Sequence, residues 1–172
     1  MEQSRKVVFV SHCILNTNSR CKGGEVIHPS IVHSVVDWLQ TKEIGIIQMP
    51  CQEYVFEGLN RDCLIFPELF TTEFRQLCRR IAEEQVAIAK NYLSDGQNVL
   101  AFVGIKGSPS CGINFTHIME AGSPKRVAAK GIFFQELELV LKENVLEIPI
   151  VEYWRKGEEA FFQKMNEILA RS

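Results

Sequence analysis

Three cysteines of this sequence could act together, because each comes soon after an apolar run that is typical of a buried strand. The cysteines are Cys13, Cys51 and Cys111, and the runs cover residues 6–10, 45–49 and 99–105. If the three strands are parallel neighbours, the thiols emerge at one edge of the sheet, where open α/β sheets bind their ligands. Three thiolates at such an edge form a soft metal site with one coordination position open.

Two kinds of metal site satisfy this pattern. An iron–sulfur cluster held by three cysteines leaves one iron free for a substrate, whereas zinc with three protein ligands keeps a water in its fourth position. A zinc deaminase would need a Pro-Cys-x-x-Cys motif, but Pro50-Cys51 is followed by Gln52-Glu53-Tyr54, so the second thiol is missing. An iron–sulfur enzyme and a zinc-dependent hydrolase both remain open at this point.

The other three cysteines are expected to have different roles. Cys78 lies on the apolar face of a predicted long helix and is expected in the core. Cys63 is expected to be buried or inert, and Cys21, in a polar loop, could be reactive. Six cysteines in a chain of this size are too sparse for a disulfide scaffold. A third possible function is a redox or metal sensor in which Cys21 and a site cysteine form a reversible disulfide.

Several polar residues near the three site cysteines are candidates for catalysis or substrate binding. Glu53 follows Cys51 by two positions and could act as a general base on water. Ser108 and Ser110 could contact substrate or serve the turn that carries them, and Arg20 could hold an anionic or carbonyl group. Weaker candidates are His12, His117 and the pair Gly23-Gly24, which resembles an anion nest.

The predicted elements that position these residues alternate between strand and helix. Strands are expected at the three runs above and at 148–153, where Pro149 indicates a strand start or an edge position. Helices are expected over 30–42, from a cap at Thr71 or Thr72 to Ser94-Asp95-Gly96, over 132–144 and over 158–171. Residues 12–28, 51–70 and 106–130 are expected to be long loops. This alternation predicts an α/β sandwich of three layers with a mainly parallel sheet.

Composition limits the classes of protein that the chain can belong to. The 172 residues, 46% hydrophobic and 23% charged, predict a single globular domain over 1–172. A net charge of −2 gives no reason to expect strong nucleic-acid binding. The apolar runs have strand length and the start lacks the features of a signal peptide. We therefore expect a cytoplasmic protein, outside the membrane, that acts on a small molecule.

The motifs around the three cysteines resemble those of the thiouracil desulfurase (TudS) family. The matching stretches are Ser11-His12-Cys13-Ile14-Leu15 with Arg20 and Gly23, Pro50-Cys51-Gln52-Glu53, and Lys106-Gly107-Ser108-Pro109-Ser110-Cys111-Gly112. The resemblance spans roughly residues 6–115, and its Ser-Pro-Ser-Cys-Gly element is the most specific part.

The resemblance implies a Rossmann-like domain and an iron–sulfur desulfidase. It implies that Cys13, Cys51 and Cys111 hold a 4Fe-4S cluster, whose fourth iron takes sulfur from a thiocarbonyl such as C2 of 2-thiouracil. Glu53 would correspond to the acidic catalytic residue and Ser108 to the serine near the substrate. The products would be a carbonyl compound and sulfide.

The chain departs from the family pattern in the loops that would line the pocket. The family's Cys-Leu-Leu-Gly is Cys13-Ile14-Leu15-Asn16, its Arg-Tyr-Asp-Gly is Arg20-Cys21-Lys22-Gly23, and its Cys-Pro-Glu is Cys51-Gln52-Glu53. The three cysteines are kept in every case. The resemblance therefore implies the cluster, and the changed loops leave a different thioamide, thiolated base or nucleoside open as the substrate.

Overall fold

The computed structural model describes residues 2–22, 29–63, 71–121 and 123–172. The strands are β1 (Lys6–Ser11), β2 (Gly45–Met49), β3 (Asn98–Ile105), β4 (Thr116–Glu120), β5 (Ser123–Val127) and β6 (Ile150–Tyr153). The helices are α1 (His12–Leu15), α2 (His33–Thr41), α3 (Gln52–Glu57), α4 (Thr72–Ser94), α5 (Ile132–Glu143) and α6 (Glu158–Leu169). Short 3-10 helices cover Thr17–Ser19 and Arg155–Gly157.

The main sheet has four parallel strands in the order β2-β1-β3-β6. Its register pairs Val8 with Ile46 and Val10 with Val103. The predicted α/β class with a mainly parallel sheet is confirmed. Pro149 immediately precedes β6, and β6 is an edge strand of this sheet. Both features agree with the sequence, because proline has no amide hydrogen to donate to a neighbouring strand.

Helices cover both faces of the sheet. Successive side chains of a strand point to opposite sides, so consecutive apolar residues of β1 need a packing partner on each face. Val7 and Phe9 of β1 join a core that includes residues of α4 and α5, while Val8 and Val10 join a second core with α2 and α6. In the first core the rings of Phe9 and Phe102 stack with centroids 4.6 Å apart. Burial of one such side chain contributes about 1.5–3 kcal/mol to the free energy of unfolding.

The long helix α4 begins and ends as its sequence predicts. The Thr71 side chain accepts a hydrogen bond of 3.1 Å from the amide of Phe74, which satisfies one free donor of the first turn. Gly96, after the last turn, has φ of +72°, a conformation that glycine adopts without strain. Cys78 is buried on the inner face of this helix, as expected.

The three segments predicted as long loops contain regular elements, and those predictions were wrong. Segment 12–28 contains α1 and a 3-10 helix, segment 51–70 contains α3, and segment 106–130 contains the antiparallel pair of β4 and β5. Helices of four and six residues are too short to show helical periodicity. In β5 the sequence Ser-Pro-Lys-Arg-Val lacks the apolar alternation of a strand.

Two further expectations lie outside the described residues. These are the pair Gly23-Gly24 and the apolar part of segment 51–70 at residues 64–66. Within the described ranges, no helix has the length and apolarity that crossing a membrane requires.

Candidate functional site

The parallel sheet brings Cys13, Cys51 and Cys111 to one edge, because β2, β1 and β3 are neighbours. Cys13 lies in α1 directly after β1, Cys51 is the N-cap residue of α3 after β2, and Cys111 lies in the turn after β3. All three line one cavity of about 520 Å³. The spatial convergence that the strand ends predict is therefore present in the structure.

The turn that carries Cys111 is fixed by hydrogen bonds of its own backbone and of the Ser108 hydroxyl. The Cys111 amide donates a hydrogen bond of 3.0 Å to Oγ of Ser108, and the Cys111 carbonyl accepts one of 2.9 Å from Ile105. The turn begins at Gly107, whose φ of +77° is in the region that favours glycine. These bonds fold the turn back on the end of β3 and fix the direction of its thiol.

The N-terminus of helix α5 is hydrogen-bonded to the same turn. Its first amides, those of Ile132 and Phe133, donate hydrogen bonds of 3.1 Å each to the carbonyls of Pro109 and Ser110. The first amides of a helix have no partner within the helix. The Cys111 turn supplies those partners, so the turn and α5 stabilise one another.

Glu53 is a buried carboxylate in the cavity wall. It lies in the first turn of α3, only 7% exposed. Its Oε1 accepts a hydrogen bond of 2.6 Å from Oγ of Ser110, and its Oε2 is 3.7 Å from Nε of Arg61. The predicted catalytic acid or base is therefore held between a hydroxyl and a guanidinium.

Arg61 is a site residue that the sequence does not reveal. Its buried guanidinium donates hydrogen bonds of 2.7 Å to the Ser19 carbonyl and 3.1 Å to the Gly58 carbonyl. It also lies 3.7 Å from Sγ of Cys51. Arg61 stands in a polar stretch, Asn60-Arg61-Asp62, which is typical of an exposed arginine, so no local signal could have identified it.

Cys21 and Cys63 form a disulfide, which corrects two expectations. Cys63 is not an inert free thiol, and Cys21 is paired with it rather than with a site cysteine. The two segments meet because Lys22 and Asp62 form a parallel bridge, with the Lys22 amide donating to the Arg61 carbonyl at 3.0 Å. The sequence separation of 42 residues hides this proximity.

Burial dominates the electrostatics of the three site thiols. It raises the pKa of Cys13 to about 11, although the nearby Arg20 acts in the opposite direction. Burial also raises the pKa of Cys51 and, further, that of Cys111, with the neighbouring site thiols adding to the shift at Cys111. Without a metal, these thiols are protonated at neutral pH, and a metal that binds them must displace their protons.

The remaining wall of the cavity combines cations with aromatic rings. Nζ of Lys106 lies 3.4 Å from the centroid of the Trp154 ring and 5.5 Å from that of Phe115. His117, on β4, also lines the cavity and its Nδ1 is 3.2 Å from the Gly107 carbonyl. The hairpin of β4 and β5, which the sequence did not predict, therefore contributes part of the site.

Most of the polar residues that the sequence predicts for the site line the cavity, but His12 does not. Arg20, Ser108 and Ser110 line the cavity with Glu53. His12 instead stacks on Tyr54 with ring centroids 6.1 Å apart, and burial together with the charge of Arg61 lowers its pKa. His12 is not among the described residues that line the cavity.

The three cysteine thiols are the soft metal donors among the residues that line the cavity. Among the described residues, no three His, Cys, Asp or Glu side chains are gathered closely enough to hold a single metal ion. The three thiols instead surround a common cavity. Each protein thiolate of a cubane cluster binds a different iron, so its ligands stand around the cluster. The residues therefore supply three thiol donors on one cavity, which is the ligand type that such a cluster requires and that zinc also accepts.

Comparison with known proteins agrees with this architecture. The fold and site define an α/β protein with a three-cysteine cavity at the edge of a parallel sheet. The chain is similar to the solved structure of the 4Fe-4S-dependent thiouracil desulfidase TudS, with a TM-score of 0.56 and 14% identity, covering 94% of this chain and 98% of that one. At this identity the likeness establishes a shared fold.

A closer sequence relationship identifies the family. No family model matches the chain. The uncharacterized protein MJ0003 of Methanocaldococcus jannaschii is 31% identical over 153 residues, which are 88% of this chain and 87% of that protein. The chain belongs to the family of MJ0003.

Proposed function

We propose that this protein is an iron–sulfur-dependent desulfidase that removes sulfur from a thiocarbonyl compound, such as 2-thiouracil or a related thiolated base. The observation that carries the proposal is the presence of Cys13, Cys51 and Cys111 around one cavity that also contains Glu53. The shared fold with TudS, whose name records a 4Fe-4S cluster and thiouracil desulfidation, supports it.

Cys13, Cys51 and Cys111 would hold the 4Fe-4S cluster. When bound, such a cluster supplies one iron without a protein ligand, which can take the sulfur of a thiocarbonyl. Arg61 contributes a fixed positive charge 3.7 Å from Sγ of Cys51, which favours the thiolate that a metal needs.

Glu53 would act on the water that replaces sulfur. The reaction exchanges the sulfur of a C=S group for the oxygen of one water molecule and releases sulfide with the two protons of that water. The Glu53 carboxylate would accept a proton as the water oxygen approaches the carbon. Its bond from Ser110 and its proximity to Arg61 hold it in one orientation toward the cavity.

The two serines are assigned different roles. Ser110 is fully buried and its hydroxyl donates to Glu53, so we assign it to positioning of the carboxylate rather than to direct substrate contact. Ser108 lies 3.3 Å from Ser110, Oγ to Oγ, and would face the substrate. Arg20, which lines the same cavity, would hold a carbonyl or anionic group of the substrate.

The first test is the metal content of protein purified without oxygen. A cubane cluster predicts about four irons and four acid-labile sulfides per chain with broad visible absorption. Such protein should convert a thiolated base to its carbonyl form and release sulfide. One tightly bound zinc in a colourless protein would replace the desulfidase by a metal-activated hydrolase. No metal at all, after anaerobic reconstitution has also failed, would reject both enzymes and favour the redox sensor.

A matched pair of variants links the metal to the site. Cys111→Ala should lose both the cluster and the activity, because it removes a ligand. Cys78→Ala should keep both, since Cys78 is a buried free thiol of α4 outside the cavity lining described above. A Cys111→Ala protein with full iron content and full desulfidation would refute the proposal.

A further inference from the structure

The Cys21–Cys63 disulfide lies between the cavity and the solvent. Cys21 is partly buried and lines the same cavity as the three site cysteines. Cys63 is exposed, and it is not among the described residues that line the cavity. Of the two disulfide partners, Cys21 therefore borders the cavity and Cys63 borders the solvent.

We propose that this disulfide is a sulfide-accepting site, in which hydrosulfide from the cavity adds to Cys21 and forms a persulfide. The proposal rests on the proposed function for the origin of the sulfide, since desulfidation releases sulfide into this cavity. It assigns a chemical role to a pair of cysteines that the desulfidation reaction itself does not use.

The exchange needs no further reagent. Hydrosulfide attacks Sγ of Cys21, a new S–S bond forms, and the bond between Cys21 and Cys63 breaks. The electron pair of the broken bond leaves with Cys63 as a thiolate. Cys21 then carries one added sulfur as a persulfide, so the oxidation level of the disulfide is retained in the new S–S bond. In the reverse step the Cys63 thiolate attacks Cys21 and expels hydrosulfide.

Charge and exposure favour attack at Cys21 over attack at Cys63. The described lining of the cavity includes the cations Arg20, Arg61 and Lys106, with Glu53 as its only carboxylate. A cavity with this excess of positive charge concentrates an anion such as hydrosulfide. The departing thiolate of Cys63 forms on the exposed side, where water can solvate it.

The backbone around the disulfide keeps the pair in place while it reacts. The Lys22 amide donates to the Arg61 carbonyl at 3.0 Å, and the Arg61 guanidinium donates to the Ser19 carbonyl at 2.7 Å. These bonds join the segments on either side of the disulfide independently of the sulfurs. The Cys63 thiolate therefore remains near Cys21 after the bond opens, which permits the reverse step.

The experiment treats the full-length, disulfide-containing protein with sodium sulfide in the absence of oxygen, followed by alkylation and peptide mass spectrometry. The expected result is one added sulfur atom on Cys21 and an alkylated free thiol at Cys63. Cys63→Ser provides the matched control, because its Cys21 lacks the disulfide and cannot gain sulfur from sulfide without an oxidant. Oxidised glutathione in a separate, parallel vessel without protein reports that the sulfide is active, so no other oxidant is present with the protein.

Two results would overturn the proposal. One is an unmodified Cys21 when the same sulfide solution has reacted with oxidised glutathione in the parallel vessel, and the other is added sulfur on Cys63 in place of Cys21. Because sulfide is supplied as a salt, the test requires neither a cluster nor a thiolated substrate. Persulfide formation in a protein without desulfidase activity would reject the proposed function alone, whereas desulfidation without persulfide formation would reject the sulfide-accepting site alone.

Discussion

Ser110 donates a hydrogen bond of 2.6 Å from its Oγ to Oε1 of Glu53. The two residues are 57 positions apart and follow β3 and β2, which lie on either side of β1 in the sheet. Both side chains are buried, so water cannot easily replace the bond. This contact joins the turn of Cys111 to the helix that follows Cys51, and it fixes the carboxylate relative to both cysteines.

Ser110→Ala is expected to lower kcat by about 10- to 100-fold, the usual effect of removing a group that orients an active-site residue. KM should change little if Ser110 acts through Glu53 rather than on the substrate. The free energy of unfolding should fall by about 1–3 kcal/mol, because a buried acceptor loses its donor. Steady-state kinetics and denaturant unfolding measure the two effects.

The matched control is Ser34→Ala. Ser34 donates a bond of the same length, 2.6 Å, to Glu158, and Ser34 is not among the described residues that line the cavity. We expect a loss of stability without a comparable loss of kcat. Equal losses of kcat in the two variants would contradict the positioning role of Ser110.

Glu53→Gln is expected to reduce turnover by about 10²- to 10⁴-fold, the usual contribution of a general acid or base. The amide keeps the size of the side chain but is a poor proton acceptor. Iron content should remain unchanged, since Glu53 is not a proposed ligand. Glu57→Gln, on the same helix but exposed, serves as the control and should retain activity. Unchanged turnover in Glu53→Gln would remove Glu53 from the mechanism.

Arg61→Gln is expected to destabilise the protein by about 3–5 kcal/mol, because loss of one partner leaves the buried Glu53 charge uncompensated. Arg61→Lys should not restore stability, since a single ammonium cannot reproduce the two bonds that the guanidinium donates to the Gly58 and Ser19 carbonyls. Denaturant unfolding measures both variants.

Arg79→Gln is the comparison for Arg61. Arg79 pairs with Glu83 and Glu143, but both carboxylates are exposed, and such pairs contribute about 0–1 kcal/mol. A difference of several kcal/mol between the two arginine variants is therefore expected. Similar free energies of unfolding would show that Arg61 acts as an ordinary surface arginine.

The sequence predicts the strands of the main sheet from local patterns, and it predicts the meeting of the three cysteines on the condition that those strands are parallel neighbours; the strand order β2-β1-β3-β6 comes from the structure. Apolar runs of strand length fix β1, β2 and β3, and the positions of Cys13, Cys51 and Cys111 relative to those runs follow directly. Alternation with amphipathic helices then predicts parallel strands. The spatial meeting of the three thiols is a consequence of topology and needs no knowledge of side-chain packing.

The disulfide and Arg61 could not be predicted, because they depend on contacts between segments that lack regular patterns. Cys21 and Cys63 meet through a bridge between Lys22 and Asp62, two charged residues that carry no pairing signal. Arg61 is buried because it satisfies the carbonyls of Ser19 and Gly58, and those groups become neighbours only in the folded chain.

Gly131→Ala is expected to disrupt the Cys111 turn. A Cβ at Gly131 would lie 2.3 Å from the carbonyl carbon and oxygen of Ser110 and 2.8 Å from the Cys111 amide nitrogen. These are backbone atoms, held by the bonds between the turn and the start of α5, so they cannot move aside without shifting the thiol. We expect a loss of about 1–3 kcal/mol or more, together with reduced iron incorporation.

Gly45→Ala tests whether this effect belongs to the site. Its Cβ would meet Cγ1 of Val7 at 3.2 Å, a side-chain atom that can shift by a few tenths of an ångström. The variant should fold with nearly normal stability and incorporate iron fully. Gly45 is the first residue of β2, and Cys51 follows the opposite end of that strand. Thermal unfolding and iron analysis of the two proteins make the comparison. Full iron incorporation in Gly131→Ala would show that the position of Cys111 does not depend on close packing between its turn and α5.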